Sequence, residues 1–284
     1  MEGFALNNIK DCYMGNSQVT AIYLGSDKIW PATHSYANDY FTIVTLIDNN
    51  SFRFIIPDNT PTQTIYYSLD NGTTWNEYLI KHNQTVYITL NINDILMLKG
   101  SIDRFVQIES TEVYRAFGNL HSLFYGDNFK NNNNLPANFF QPSLFTGSKI
   151  MSAEDLIMPA TTLTQHCYRG MFSGCTSLAG APALPATTLA DYCYQGMFIG
   201  CTSLENAPAL PATTLTQYCY SNMFYLCSSL YNITCLATDI SATDCTLGWL
   251  YGVASTGIFT KAYEASQWTR GYNGVPIGWT VQDV

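Results

Sequence analysis

The chain has 284 residues with 12 Lys and Arg against 21 Asp and Glu, a formal charge of −9, and only 12% charged residues. No basic cluster is present to neutralise phosphates, which argues against a nucleic-acid partner, and no apolar run approaches the roughly 18 residues of a membrane span. The length allows two or three domains, and the Thr-, Asn- and Tyr-rich composition predicts a soluble, polar but weakly charged surface.

The opening residues, MEGFALNNIKDCYMG, lack a positive segment followed by an apolar core. They are not read as a secretory signal, and the protein is expected to remain in the cytoplasm where it is made. Gln18 to Leu24 and Lys28 to Trp30 are short β-rich runs on either side of Gly25-Ser26-Asp27, which predicts a hairpin within an N-terminal attachment element, residues 1–38. From 39 to 110 the pattern is one of short strands: Phe41 to Leu46, Ser51 to Ile56, Thr64 to Ser68, Thr85 to Leu90 and Asp94 to Lys99. Turn signals at Asp48-Asn49-Asn50, Pro57-Asp58-Asn59, Asp70-Asn71-Gly72 and Lys99-Gly100 separate them, and the spacing predicts a small β-sandwich. The run Asp127 to Asn134 lacks the spaced acidic ligands of a calcium loop and is read as a solvated loop.

Residues 111–284 form the third segment, and a repeat governs it. PATTLTQHCYRGMFSGCTSLAGAPAL begins at Pro159 and recurs at Pro185 and Pro211, giving 26-residue units at 159–184, 185–210 and 211–236 and a degenerate unit at 237–262. Leu163, Cys167, Met171, Phe172, Cys175 and Leu178 recur in register and are the expected core. The four-residue spacing of Leu163, Cys167 and Met171 predicts a short helical turn ended by Gly174, and the segment from Leu178 to Leu184 predicts an extended strand pairing with its counterparts. One such unit cannot bury enough surface to fold alone, so the units must stack. Leu144-Phe145-Thr146-Gly147 reads as a divergent first coil, and Trp249, Phe259, Trp268, Ile277, Trp279 and Val281 as the cap of the far end.

The string C-Y-x-x-M-F-x-G-C-T-S-L, Cys167 to Leu178, resembles the BspA-type leucine-rich repeat, with Cys167 in place of an aliphatic residue and Met171 in place of alanine. Its PATTL and APAL variant resembles repeats of gut Bacteroidales and of virion proteins (tail, baseplate or fibre) of their phages, such as crAss-like phages. SQVTAIYLGSDKIWP resembles an element of phage tail and baseplate proteins, and YYSLDNGTTWNEY, Tyr66 to Tyr78, resembles a hairpin of modules found beside such repeats. The resemblance implies a mainly β protein with short helical turns, in which an N-terminal hairpin and a small β-sandwich precede a leucine-rich-repeat solenoid of 26-residue coils. It also implies attachment. The expected role is a phage virion structural protein, made in the host cytoplasm, docking to other virion proteins through its N-terminal region and adhering through the solenoid to a host-surface or mucosal protein or glycan. A homo-oligomer, a trimer among the options, fits that role. Two alternatives stand beside it: a bacterial cell-surface or secreted adhesin, and a purely structural virion decoration or assembly protein. The sandwich reads as a spacer, with a small carbohydrate-binding role as its alternative.

No chemistry of catalysis is legible. The sequence has no G-x-S-x-G, H-E-x-x-H or P-loop, and Glu154-Asp155 is adjacent in a strand-like segment, where the two carboxylates point to opposite faces. Nine cysteines without a C-x-x-C pair and four histidines without metal spacing predict buried thiols, with no metal and no cofactor. The candidate ligand-binding residues are those that vary within the fixed frame and are expected to be exposed: His166, Tyr192 and Tyr218; Arg169, Gln195 and Ser221; Ser173, Ile199 and Tyr225; Ala179, Glu205 and Tyr231, with Gly180, Asn206 and Asn232 beside the last. Tyrosine suits contact, having a rigid apolar face and a polar tip. Neutral drift between duplicated units would leave the same variation.

Overall fold

The computed structural model describes the backbone of residues 12–14, 17–19, 22–24 and 27–30, and residues 38–56, 61–81, 86–102, 106–135 and 143–284. The expected turn at 57–59 lies outside these. Two units are distinguished, Met1–Tyr36 and Ala37–Val284. In the first, β1 (Cys12–Met14) pairs antiparallel with β2 (Ser17–Val19), and β3 (Ile22–Leu24) with β4 (Asp27–Trp30). Tyr23 faces Lys28 and Leu24 faces Asp27 across the expected turn.

The second unit is mainly β. Its first half consists of β5 (Phe41–Thr45), β6 (Asn50–Ile55), β7 (Gln63–Ser68), β8 (Asn76–Ile80), β9 (Val86–Leu90), β10 (Ile95–Gly100), β11 (Gln107–Ser110) and β12 (Tyr114–Asn119). One sheet has the order β12-β5-β10-β7-β8 and the other β11-β6-β9. Alternation decides which side of each strand is covered. Phe52 and Phe54 of β6 and Leu96 and Leu98 of β10 are buried, while their neighbours are half-exposed. Phe52 meets Tyr114 of the other sheet edge-on at 5.1 Å. The sequence signals misplace two details. Lys99-Gly100 is the end of β10 and no turn, because Gly100 passes close to the backbone of Thr64 and has no side chain to clash with it. The Asp127 region is not a simple solvated loop: a helical turn α1 (Ser122–Tyr125) leads into a 3-10 helix, Gly126–Asn131, whose Phe129 is fully buried.

β12 joins the sheet to the repeats. One edge pairs antiparallel with β5, and the other runs parallel to β13 (Ile150–Ser152) and β14 (Leu156–Ile157). Gly118, at φ +82°, permits this, since a side chain there would strike the carbonyl of Tyr40. Ser152 in turn bridges to Gly180, and the ring of Phe145 lies 5.9 Å from Phe41 on one side and 5.1 Å from Phe172 on the other. Sheet and repeats share one apolar cluster.

The repeats do not contain the expected helical turns. Residues 165–174 and their counterparts are a run of consecutive turns. Odd-numbered N–H groups of the first unit bond locally, as in Arg169 N to His166 O and Met171 N to Tyr168 O, whereas even-numbered ones reach the next unit, as in Tyr168 N to Cys193 O, Gly170 N to Gln195 O and Phe172 N to Met197 O. The carbonyls divide likewise, His166 and Tyr168 accepting local N–H groups and Cys193, Gln195 and Met197 those of the unit before. The geometry requires positive φ at every fourth residue: His166, Gly170 and Gly174, then Tyr192, Gly196 and Gly200, then Tyr218, Asn222 and Leu226. A four-residue apolar spacing is common to this staircase and to an α-helix, which is why the pattern alone reads as helical. The extended segments after each staircase pair in parallel, through isolated bridges such as Asn206 with Asn232, and as a regular sheet only at the end: β15 (Asn232–Cys235), β16 (Ile258–Lys261) and β17 (Thr280–Asp283).

Both ends of the stack are closed. Upstream, the N–H groups of Ser143, Phe145 and Gly147 bond to the carbonyls of Arg169, Met171 and Ser173, repeating the pattern in the divergent first coil. Downstream, the indole N–H groups of Trp249, Trp268 and Trp279 donate to the carbonyls of Gly274, Ala237 and Ala254. Ile277 is no part of this cap, being 83% exposed.

Candidate functional site

The variable columns occupy one side of the staircase, and the structure sorts them. His166, Tyr192 and Tyr218 stack on one another with ring centroids 4.7 and 4.8 Å apart, and the next position, Asp244, accepts the hydroxyl hydrogen bond of Tyr218. This column is half-buried and spends much of its aromatic surface on itself. Burial, and then the charge of Arg169, lowers the pKa of His166. Arg169 is exposed and Gln195 half-buried, but Ser221 of the same column is buried, contrary to expectation, as is Gly180. Glu205 and Tyr231 are exposed and lie farther along the unit, at its extended segment.

An open groove of about 460 Å³ runs across the units between the second and third columns. Gly170 and Gly196 form its floor, Arg169 and Gln195 one wall, and Ser173 and Ile199 the other, with Ser143, Thr146 and Asn222 at its ends. The positive-φ glycine Gly196 lets the Ile199 side chain lie over it, where a Cβ would come within 2.8 Å of Ile199 Cδ1. The groove brings together Arg169, Gln195, Ser173 and Ile199 of the sequence-predicted residues. Tyr225 continues the Ser173–Ile199 wall by register and stacks on Tyr251 at 5.2 Å, which in turn meets Tyr272 edge-on at 5.4 Å. His166, Tyr192, Tyr218, Glu205 and Tyr231 are outside the lining. Tyr251 and Tyr272 are not among the sequence-predicted residues, although Tyr251 lies 26 residues after Tyr225; the degenerate fourth unit hides the column.

Among the described residues, Arg169 forms no ion pair. The Oε1 atom of Gln195 is buried without a hydrogen-bond partner. Such groups are costly unless something else completes them.

A second depression, about 430 Å³, lies beside Lys99, Tyr66, Phe124 and Tyr125. Its cation is already neutralised. The Lys99 ammonium is 2.8 Å from the Asp127 carboxylate and 4.2 Å above the ring of Trp75, and Tyr40 donates to the same carboxylate at 2.6 Å. The Lys99 and Tyr40 hydrogen bonds lower the pKa of Asp127; burial first, and then Asp127, raises Tyr40 to about 12. Nearby, Asp70 accepts from Ser68 Oγ, Thr74 N and Thr74 Oγ1, and these bonds bring its carboxyl down to about 2. The bonds tie the 68–75 turn to itself and leave no carboxylate oxygen of Asp70 seeking a partner.

The eight cysteines from Cys167 to Cys245 are all buried and free, and burial raises their thiol pKa values, for Cys175 and Cys227 to about 12. Glu154 and Asp155 are both exposed. Among the described residues no His, Cys, Asp and Glu cluster could hold a metal, and no helix is long and apolar enough to cross a membrane.

No family model matches the chain, and no solved structure matches it. An 83-residue stretch is 31% identical to the vacuolar protein sorting/targeting protein 10 of Aspergillus flavus and, equally, to that of Aspergillus oryzae. The match covers 28% of this chain and 5% of each fungal protein, so the likeness is confined to a small part of a far longer relative.

Proposed function

We propose that residues 111–284 form a BspA-type leucine-rich-repeat solenoid and that the protein is a phage virion component, of tail, baseplate or fibre, which uses this solenoid to adhere to a host-surface or mucosal ligand. The observation that carries the adhesive part is the division of each unit into an unchanging frame and a changing face. Met171, Met197 and Met223 and their neighbouring phenylalanines are buried identically, while Arg169 and Gln195, and Ser173 and Ile199, differ around one open groove. A rigid repeated frame with altered side chains on one face is how stacked-repeat proteins present a binding surface. The virion assignment rests on the sequence resemblance of the repeats and of residues 17–31. Residues 1–38 would dock to other virion proteins, and a homo-oligomeric mounting, such as a trimer, would multiply weak contacts.

Antibodies raised against the purified chain test this reading on phage particles purified from a Bacteroidales host. Labelling of the tail, together with blocked adsorption, is the expected result. Labelling of the bacterial envelope and not of particles would move the protein to the cell-surface adhesin class. Labelling of particles without any effect on adsorption would leave a decoration or assembly role.

A further inference from the structure

We infer that the groove over Gly170 and Gly196 is a binding site for an acidic oligosaccharide, a glycan whose sugar rings include a carboxylate-bearing one. This inference rests on the adhesive reading above and names its ligand class. Three independent features carry it.

The first is an unneutralised cation. The chain has only 12 Lys and Arg in a molecule of formal charge −9, yet Arg169 stands in the groove wall without a carboxylate, and no Asp or Glu lines the groove. Lys99, in the other depression, has its Asp127. A guanidinium offers a planar pair of donors that fits one carboxylate, and a groove with a single such group selects a ligand with a locally anionic unit.

The second is unspent hydrogen-bonding capacity beside it. Gln195 Oε1 is buried without a partner in the unliganded protein, and Ser173 and Asn222 add a hydroxyl and an amide to the same lining. With the Gln195 side chain turned toward the groove, a sugar hydroxyl donates to its amide oxygen, and other sugar oxygens accept from Asn222 and Ser173. An apolar ligand would leave Gln195 unsatisfied.

The third is a series of tyrosine rings beyond the Asn222 end of the groove, outside its lining. Tyr225, Tyr251 and Tyr272 form a contiguous series of rings, of which Tyr251 is 48% and Tyr272 52% exposed. Tyr272 reaches toward Asn222, since both its hydroxyl and Asn222 Oδ1 border the space above Gly248. Beside these rings, Leu226 takes φ +60° at the position filled by Gly174, Gly200 and Gly252 in the other units, and its side chain is 46% exposed. That conformation is the one the staircase requires at this position, and what Leu226 adds where the other units have glycine is exposed apolar surface. Tyr225 and Tyr251 spend a face on each other, so Tyr272, edge-on to Tyr251 and outside that stack, is the ring left to meet the C–H face of a sugar, which rigid tyrosine does at low entropic cost. From Arg169 in the first unit to Tyr251 in the fourth is three inter-unit steps of roughly 4.8 Å each, about 14 Å along the stack, so the ligand must be extended, and a chain of several sugar rings is. An acidic peptide of aspartates would satisfy Arg169 but has no sugar-ring face to set against Tyr272.

The test uses the full-length chain with defined probes: tetragalacturonate and sialyllactose as acidic oligosaccharides, maltotetraose and lactose as neutral counterparts, and a tetra-aspartate peptide. Calorimetric titration is expected to show binding to at least one acidic oligosaccharide, weakening as NaCl rises from about 50 to about 500 mM. Arg169→Ala and Tyr272→Ala should each weaken it by about tenfold or more with an unchanged melting temperature. Arg169→Lys should rescue only part, because the paired donors are lost. Binding of neither acidic sugar, equal binding of the neutral counterparts, or preference for the peptide would overturn the inference. Adhesion of the full chain to host cells that persists in both alanine variants would sink this site while leaving the adhesive function standing; no adhesion by the unaltered chain would sink that function.

Discussion

In the column Cys175, Cys201 and Cys227, each thiol donates to the carbonyl of the phenylalanine one unit upstream, at 2.9 Å to Phe145, 3.1 Å to Phe172 and 2.9 Å to Phe198. That carbonyl already accepts the local N–H, as in Cys175 N to Phe172 O, so both of its lone pairs are used. Cys201→Ala should therefore remain folded, because Phe172 keeps one partner, but lose about 1–2 kcal/mol in urea titration, from a weak hydrogen bond and a small void. Position and burial of these cysteines are legible in the sequence from their register. The donor role is not, since it depends on the distance to a backbone atom in the neighbouring unit. His121 makes a second residue-scale prediction. It is fully buried, with Nδ1 2.7 Å from the carbonyl of Asn132, and burial lowers its pKa from the ordinary 6.5. The unfolded chain takes up this proton near pH 6.5, the folded one only at lower pH. The linked stability is thus complete above pH 6.5 and is lost as pH falls from there through the depressed folded value. Urea midpoints should fall between pH 7.5 and pH 5, and the fall should shrink in His121→Gln.

At the scale of the element, the staircase depends on left-handed residues at intervals of four. Gly200 isolates this requirement, because it has φ +69° and open space where a Cβ would stand. Gly200→Ala should cost about 1–2 kcal/mol through backbone conformation alone, read as a lower melting temperature with unchanged far-ultraviolet dichroism. A loss near zero would mean that the alternating hydrogen-bond pattern does not depend on this conformation. Glycine at 174 and 200 is visible in the sequence, but a helical reading gives it only a terminating role. The same φ at His166, Tyr192 and Tyr218 is hidden, because bulky residues rarely signal it. Leucines, cysteines and the Met-Phe pairs give away the buried face, since burial follows apolar register whether the backbone is helical or a chain of turns. The β5–β12–β13 pairing that carries the sheet into the repeats is not legible, being a contact between segments distant in sequence and lacking any local pattern.

For the whole molecule, the structure joins a mainly β platform to stacked units through one hydrogen-bonded and aromatic path, from Phe41 through Phe145 and Phe172 to Phe198 and Phe224. Its frame is constant and its groove face is not, and the proposed adhesion belongs to that face. The repeat alone makes the variable columns visible, but not their sorting into a self-stacked row, a buried serine and a groove wall. That sorting depends on where each turn points its side chain. The decisive measurement is saturable binding of the labelled full-length chain to intact host cells, compared with a variant in which Arg169, Gln195, Tyr225, Glu205 and Tyr231 are all changed to serine. None of these is fully buried, so the variant should keep the melting temperature to within about 2–4 °C. The account predicts saturable binding by the unaltered chain and a loss of about tenfold or more in the variant. Equal binding by both, with the fold intact, would contradict it.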